Sequence, residues 1–233
     1  MKLRFLPLLL IFLLSSSFTK PYVAIEPLAV VVNSEEDDIV TLYETFVDKN
    51  NTMPQLISFT SAIKGYLKLK ADGKIENETL TIIDFSLSSK AKRLWVLDMT
   101  SYEVLFNTVV AHGRNTGGEF ATKFSNKNNS NQSSLGFYIT DNTYYGKNGL
   151  SLFLDGQEKG INDNARKRYV VFHGAKYANP EFAKRQGRLG RSLGCPAVPT
   201  ALNTAIIKRI KNKSCMFIYH PNEAYQKASK LVG

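Results

Sequence analysis

Cysteine and histidine are scarce in this chain, which has two cysteines and three histidines among its 233 residues. Neither a C-x-x-C nor an H-x-x-x-H pair occurs, so a zinc site would have to gather scattered ligands and is disfavoured. A small fold held by several disulfides is excluded, although one bridge between Cys195 and Cys215 stays open. We expect no metal and no other cofactor.

Apolar runs long enough to cross a bilayer are also absent. The run Phe5 to Leu14 is preceded by Lys2 and Arg4 and followed by three serines, a pattern typical of a signal peptide over residues 1–19. It is shorter than the roughly 20 residues that span a membrane. We therefore expect export to the periplasm or cell envelope, with no stable membrane anchor after cleavage.

Acidic residues are outnumbered by basic ones, 20 against 30, which gives a net charge of +10. Such a charge suggests nucleic acid for a cytoplasmic protein, but export favours an anionic cell-wall polymer and no nucleic acid. The basic residues are spread along the chain, so a solvated basic surface is an equal alternative.

The pattern of apolar residues divides the chain into four parts. After the signal peptide we predict a flexible lead-in over 20–38 and a helical brace over 39–72, where apolar residues recur at helical intervals. From 73 to 233 short β-branched runs predict a mainly β (α+β) domain with a few covering helices. The predicted strands are 80–85, 93–99, 103–111, 136–140, 150–154, 169–173 and 216–220, with helices at 180–186 and 201–211 and a loop at 119–132.

One segment carries a candidate base and a candidate nucleophile. A predicted strand ends in His173-Gly174, and 22 residues after the histidine comes Cys195 within S-L-G-C-P-A. An imidazole that takes the thiol proton makes a cysteine nucleophilic, and neighbouring glycines let a carbonyl approach backbone amides. The pattern favours cysteine acyl transfer. A histidine that only closes a strand, a buried cysteine and a Cys195–Cys215 disulfide remain alternatives from the residues alone.

The wider sequence resembles a known family. An H-G pair followed by S-x-G-C is similar to the signature of the L,D-transpeptidases, the YkuD-like enzymes that cross-link peptidoglycan. The resemblance runs from about residue 80 to 220 and is closest to the murein L,D-transpeptidase catalytic domain subfamily. The blocks that carry it are L-F-N-T-V-V-A-H-G (105–113), F-S-N (124–126), S-S-L-G-F-Y (133–138), Y-Y-G-K-N-G (144–149) and G-R-L-G-R-S-L-G-C-P-A (187–197).

This resemblance implies a β-sandwich catalytic domain and a thioester mechanism. Cys195 would attack a stem-peptide carbonyl and release D-alanine, while His173, oriented by the Gly174 carbonyl, would act as base and then acid. The amides of Cys195, Gly194 and Leu193 would form the oxyanion hole. The implied partners are peptidoglycan stem peptides and, as a second acceptor, a cell-wall-attached protein.

The sequence departs from the commonest family signature at Leu193, where histidine is usual, and at Ala197, where arginine or asparagine is usual. We therefore look for the partner of the donor carboxylate at Arg188 or Arg191, because guanidinium binds carboxylate bidentately.

Two further residues are candidates for the substrate-binding site. Ser192 is expected to hydrogen-bond the catalytic loop or the histidine, and His112 to lie on the rim of the cleft. For each of them a purely structural role is an equal alternative.

Two other functions stay open at this point. In an L,D-carboxypeptidase, water would resolve the same thioester. The third is a catalytically silent wall-binding protein, which the presence of both His173 and Cys195 disfavours because a binding module needs neither a base nor a thiol.

Overall fold

The computed structural model describes residues 35–232, so the predicted signal peptide and residues 20–34 of the lead-in lie outside it. The helices are α1 (Glu35–Lys49), α2 (Leu56–Ala71), α3 (Pro180–Gln186), α4 (Thr200–Ile210) and α5 (Glu223–Ala228). The strands are β1 (Thr79–Asp84), β2 (Leu94–Asp98), β3 (Glu103–Thr108), β4 (Gly136–Gly146), β5 (Gly149–Gly156), β6 (Val171–Gly174), β7 (Ala197–Val198) and β8 (Cys215–Tyr219).

The strands form one sheet in the order β3-β2-β1-β8-β4-β5-β6-β7. Two of its pairings are parallel, β1 with β8 and β6 with β7, and the others are antiparallel. Ala111, just after β3, bridges to Ala197 in β7, so the two edges of the sheet meet. The predicted mainly β fold is confirmed, and its two layers are parts of one continuous sheet that curves into a barrel-like sandwich.

The lead-in prediction is wrong for its last four residues, because α1 begins at Glu35 rather than near Ile39. Residues 35–38 are all acidic, and negative side chains are favourable in the first turn of a helix, where backbone N–H groups leave a positive dipole end. The helices α1 and α2 share the core of the sheet through Phe46 and Phe59, both fully buried.

Among the predicted helices, α3 is confirmed with both of its ends. The Asn179 side chain accepts a hydrogen bond from the Glu181 amide, Pro180 occupies the first turn, and Gly187 ends the helix with φ of 73°. This helix carries the chain from β6 back towards the cysteine loop.

The strand and helix predictions missed several features, among them the 3-10 helix Lys176–Ala178. The strand β4 continues six residues beyond Thr140, after a register shift between Thr140 and Thr143 that a bulge produces. The two-residue strand β7 and the short helix α5 are too brief to show a period in the sequence. Within residues 35–232, none of the helices combines the length and hydropathy that a bilayer crossing requires.

One close contact fixes α2 against the sheet. A Cβ atom at Gly65 would lie 2.1 Å from Cζ of Phe137, a ring that is fully buried and stacked on Phe217 at 4.2 Å. Neither ring has room to retreat, so this helix position requires glycine.

We predict that Gly65→Ala destabilises the protein although alanine is the better helix former by about 1 kcal/mol. The methyl group forced into this contact should lower the free energy of unfolding by about 1–3 kcal/mol, even with the gain in helix propensity included. Urea unfolding measures this difference. Leu67→Ala on the exposed side of α2 is the control, expected within about 0.5 kcal/mol of wild type. A Gly65→Ala protein as stable as wild type would show that the contact is not limiting.

Candidate active site

The imidazole of His173 is held at the end of β6. Its side chain is 2% exposed, and its Nδ1 lies 3.0 Å from the carbonyl oxygen of Gly174. A carbonyl can only accept, so Nδ1 carries the proton and Nε2 keeps its lone pair. In the part of the chain that the structure describes, Nε2 has no hydrogen-bond partner, as a general base awaiting a proton requires.

Parallel pairing between β6 and β7 brings the cysteine next to this histidine. His173 is in register with Ala197, and the His173 amide donates to the Pro196 carbonyl at 3.3 Å. Cys195, two residues before Ala197, therefore lies level with Val171, whose amide nitrogen is 3.4 Å from Sγ. Among the described residues no hydrogen bond joins the thiol and the imidazole, but they occupy neighbouring positions on adjacent chain segments.

Both groups are in surroundings that favour their neutral forms. Desolvation raises the pKa of the Cys195 thiol, and the Val171 N–H and the positive charge of Arg168 only partly oppose this. Desolvation also lowers the pKa of His173, opposed by the Gly174 carbonyl. The resting site therefore holds a thiol and a neutral imidazole rather than an ion pair.

The turn that carries Cys195 is fixed by Ser192. The Ser192 hydroxyl donates to the Cys195 carbonyl at 2.6 Å and accepts from the Gly194 amide at 3.0 Å. Ser192 is 5% exposed. Its predicted bond to the catalytic loop is thus present, and the hydroxyl proton is committed to the Cys195 carbonyl. Its role in substrate binding stays a prediction.

The same contact corrects the predicted oxyanion hole. The Gly194 amide donates to Ser192, whereas the amides of Leu193 and Cys195 donate to no other residue among 35–232. The Cys195 amide faces its own Sγ, where it lowers the pKa of the thiol. Gly194 has φ of 132°, and a Cβ there would lie 2.9 Å from the Gln132 carbonyl oxygen. The glycine is needed for the shape of the turn rather than as a donor.

The two candidate carboxylate-binding arginines contact backbone carbonyls. Arg188 Nη1 donates to the Leu189 carbonyl at 2.8 Å, and its side chain is half-buried. Arg191 is exposed and donates through Nη1 to the carbonyls of Arg114 and Gly117, at 3.0 and 2.9 Å. Each guanidinium keeps other N–H groups for a ligand, so both remain candidates.

His112 does not lie on the rim of the cleft as predicted. Its side chain is 1% exposed, and Nδ1 lies 2.8 Å from Nη2 of the fully buried Arg93. Only its backbone faces the cysteine turn, through a hydrogen bond from the Ser192 amide to the His112 carbonyl. Desolvation and, next, the charge of Arg93 lower the pKa of His112 to about 4.

Sequence reasoning missed two residues near the thiol, Arg168 and Tyr177. Arg168 contributes a positive charge at Cys195, and desolvation followed by the charge of Cys195 raises the pKa of Tyr177 to about 12. The only sequence signals were the basic R-K-R run just before the histidine strand and a tyrosine four residues after His173.

Cys215 is not paired with Cys195. Both thiols are free, and Cys215 is fully buried in β8, opposite Leu80 of β1. The disulfide alternative is therefore not realised in this structure.

A thiol, a neutral imidazole held by a carbonyl, and a turn with two amides that no other described residue occupies are the groups that a cysteine acyl-transfer site requires. The chain belongs to the L,D-transpeptidase catalytic domain family, whose sequence pattern it matches over residues 50–219. This range includes all of α2, so it begins within the segment predicted as a brace. No curated protein matches the chain.

Solved structures of L,D-transpeptidases are similar at a low level. The Mycobacterium smegmatis enzyme is 13% identical, with a TM-score of 0.38 and coverage of 61% of this chain and 59% of that one. The Enterococcus faecium C442S mutant is 14% identical, with a TM-score of 0.35 and coverage of 62% and 50%. The Stackebrandtia nassauensis protein is 11% identical, with a TM-score of 0.38 and coverage of 81% and 92%. The chain thus spans less than two thirds of the first two structures.

We predict that His112→Gln flattens the pH dependence of stability between about pH 6.5 and 4. Because the folded pKa of His112 lies below its unfolded value, the unfolded chain takes up the proton first. His112 should therefore cost on the order of 3 kcal/mol of stability as the pH falls from 6.5 to below 4. A glutamine oxygen can still accept from Arg93 but does not titrate.

The measurement is urea unfolding of both proteins at several pH values, and the difference between the two curves isolates His112 from other titrating groups. Parallel curves would show that the proton is accommodated in the folded state.

Proposed function

We propose that the protein is a cysteine-dependent L,D-transpeptidase that acts on peptidoglycan stem peptides through a thioester on Cys195. The observation that carries the proposal is the pairing of β6 with β7, which brings the segment with the free thiol of Cys195 next to the strand with the carbonyl-oriented imidazole of His173. Family membership supports the general reaction, and the site supports its cysteine chemistry.

In the first half-reaction, Cys195 Sγ attacks the stem carbonyl that precedes the terminal D-alanine. As the S–C bond forms, the thiol proton passes to Nε2 of His173, because Nδ1 already carries a proton. The C–N bond then breaks, and the same proton moves from Nε2 to the departing amine. D-alanine leaves, and the stem remains bound as a thioester.

In the second half-reaction, an amine of another stem attacks the thioester. Nε2 takes a proton from this amine and returns it to Sγ as the C–S bond breaks, so the free thiol is regenerated. Water in place of the amine would give the L,D-carboxypeptidase reaction with the same residues.

The negative charge that develops on the attacked oxygen needs donors. The amides of Leu193 and Cys195 are the available pair, since Ser192 occupies the amide of Gly194. Each such donor contributes about 3–4 kcal/mol in other enzymes. Arg188 and Arg191 are the candidates to bind the carboxylate of the donor stem. One of them would take the part of the arginine or asparagine that is usual at the position of Ala197.

The proposed substrate also sets the location. Peptidoglycan lies outside the cytoplasm, and the amino-terminal sequence predicts export to the periplasm or envelope. The net charge of +8 that remains without Lys2 and Arg4 of the signal peptide suits a surface that works among anionic cell-wall polymers. A cell-wall-attached protein is a second acceptor consistent with the same thioester chemistry.

We predict that Cys195→Ala abolishes D-alanine release from tetrapeptide stems while the melting temperature changes by only a few degrees. The sulfur is the nucleophile, and it contributes little to the core, because the Cys195 side chain is partly exposed. Mass spectrometry of the stems after incubation gives the readout. Adding an amine-bearing acceptor stem distinguishes cross-linked dimers from hydrolysed tripeptides.

Cys215→Ala is the matched control, because it removes the other thiol from a buried strand away from the site. It should lose some stability and keep D-alanine release. Residual release by Cys195→Ala would refute the thioester, and hydrolysed tripeptides alone, even with acceptor present, would identify a carboxypeptidase.

A further inference from the structure

Arg168, in the turn that leads into β6, donates four hydrogen bonds to a single loop. Nη1 contacts the Ser125 carbonyl at 2.8 Å and the Ser134 hydroxyl at 2.6 Å. Nη2 contacts the Ser130 hydroxyl at 3.1 Å and the Gln132 carbonyl at 2.7 Å. One guanidinium therefore ties residues 125–134 to the strand that carries His173.

That loop in turn supports the cysteine turn. The Ser133 hydroxyl donates to the Gly194 carbonyl at 2.9 Å and accepts from the Gly113 amide at 3.0 Å. Nη2 of Arg168 is only 3.6 Å from the point that a Cβ of Gly194 would occupy. Arg168 thus anchors the 125–134 loop, and this loop supports the cysteine turn through Ser133. The guanidinium also lies close to Gly194 in that turn.

The charge of Arg168 has no carboxylate partner among residues 35–232. Arg166, two residues earlier, shows the contrast, because it forms ion pairs with Asp141 at 2.5 Å and Asp155 at 2.6 Å. The acceptors around Arg168 are carbonyls and hydroxyls, which bind the guanidinium without neutralising it. Arg168 therefore keeps its charge, which opposes the desolvation that raises the pKa of the Cys195 thiol.

The backbone between Arg168 and the histidine strand is strained in a way that keeps this arrangement. Tyr169 has φ of 53°, an unfavourable value for a bulky residue, and its carbonyl oxygen lies 3.5 Å from Cys195 Sγ. Such strain persists only where the surroundings impose it, and here it places the Tyr169 carbonyl next to the sulfur, on the residue that follows Arg168.

We propose that Arg168 is a positioning residue that fixes the nucleophile turn through the 125–134 loop and whose uncompensated charge stabilises the Cys195 thiolate. The proposal rests on the proposed function only in taking Cys195 as the nucleophile. When the proton passes to His173, negative charge appears on Sγ and then on the substrate oxygen. A cation that is already in place stabilises both without any rearrangement.

The test uses two alkylating reagents of different charge, so that it needs no transpeptidase substrate. The rate at Cys195 is measured against pH with neutral iodoacetamide, in which Sγ displaces iodide, and the anionic reagent iodoacetate gives a second rate. The ratio of iodoacetate to iodoacetamide rates reports the electrostatic potential at the sulfur. A Cys215→Ala background confines the reaction to Cys195.

We predict that Arg168→Gln moves the midpoint of iodoacetamide alkylation up by about one pH unit and lowers the rate ratio several-fold, about 3 to 10. Arg168→Lys should restore most of the ratio, since it keeps the charge but loses the multiple hydrogen bonds. Arg185→Gln, which removes the same charge from the exposed side of α3, is the control and should change neither quantity.

Three results would overturn the proposal. A folded Arg168→Gln protein with wild-type midpoint and ratio would show that the charge does not reach the thiol. Equal losses in Arg168→Gln and Arg168→Lys would leave only a mechanical role. If neither variant folds, the wild-type ratio decides, and a value no higher than that of a cysteine peptide would reject the assignment. None of these outcomes depends on D-alanine release, so a failed transpeptidase assay is distinguishable from them.

Discussion

The pairing of β6 with β7 is the contact on which the rest of the site depends. It is short, with His173 opposite Ala197 and Gly174 opposite Val198, but β7 is also held on its other side by the bridge between Ala111 and Ala197. The cysteine turn is therefore attached to a closed sheet on both sides. This explains how Cys195, on an irregular segment, keeps a fixed position relative to a histidine 22 residues earlier.

Within residues 35–232 the site has no ion pair at rest, and fixed groups of the protein are available to stabilise charge during the reaction. Desolvation keeps the thiol of Cys195 and the imidazole of His173 neutral. In our proposals, the amides of the turn and the charge of Arg168 stabilise the negative charge that develops during the reaction. Such a site gives little electrostatic stabilisation before substrate binds. It gives most in the transition state, when negative charge appears on the sulfur and the substrate oxygen. The buried Ser192 and Ser133 hydroxyls hold the turn through hydrogen bonds to the carbonyls of Cys195 and Gly194.

The features that the sequence predicts correctly are those that depend on residues close together in the chain. The ends of α3, the strands and the pair His173 and Cys195 follow from caps, alternation and motif. The buried position of His112 could not be predicted in this way. It depends on Arg93, a fully buried arginine 19 residues away whose partner cannot be inferred from spacing. Arg168 was missed for the same reason, since its ligands are mostly carbonyls and hydroxyls of a loop more than 30 residues earlier in the chain. The amide of Gly194 was misassigned because a motif shows which residues are present but not which hydrogen bonds they make.

The most direct test of the central claim, that His173 activates Cys195 for acyl transfer, is the rate of acylation by a carbapenem followed by intact mass. A strained β-lactam opens on the same thiol, and the ring nitrogen stays attached, so the thioester accumulates. The account predicts an adduct on the wild type, none on Cys195→Ala, and formation about 10²-fold or more slower on His173→Gln. Acylation of His173→Gln at the wild-type rate, or an adduct on Cys195→Ala, would contradict it.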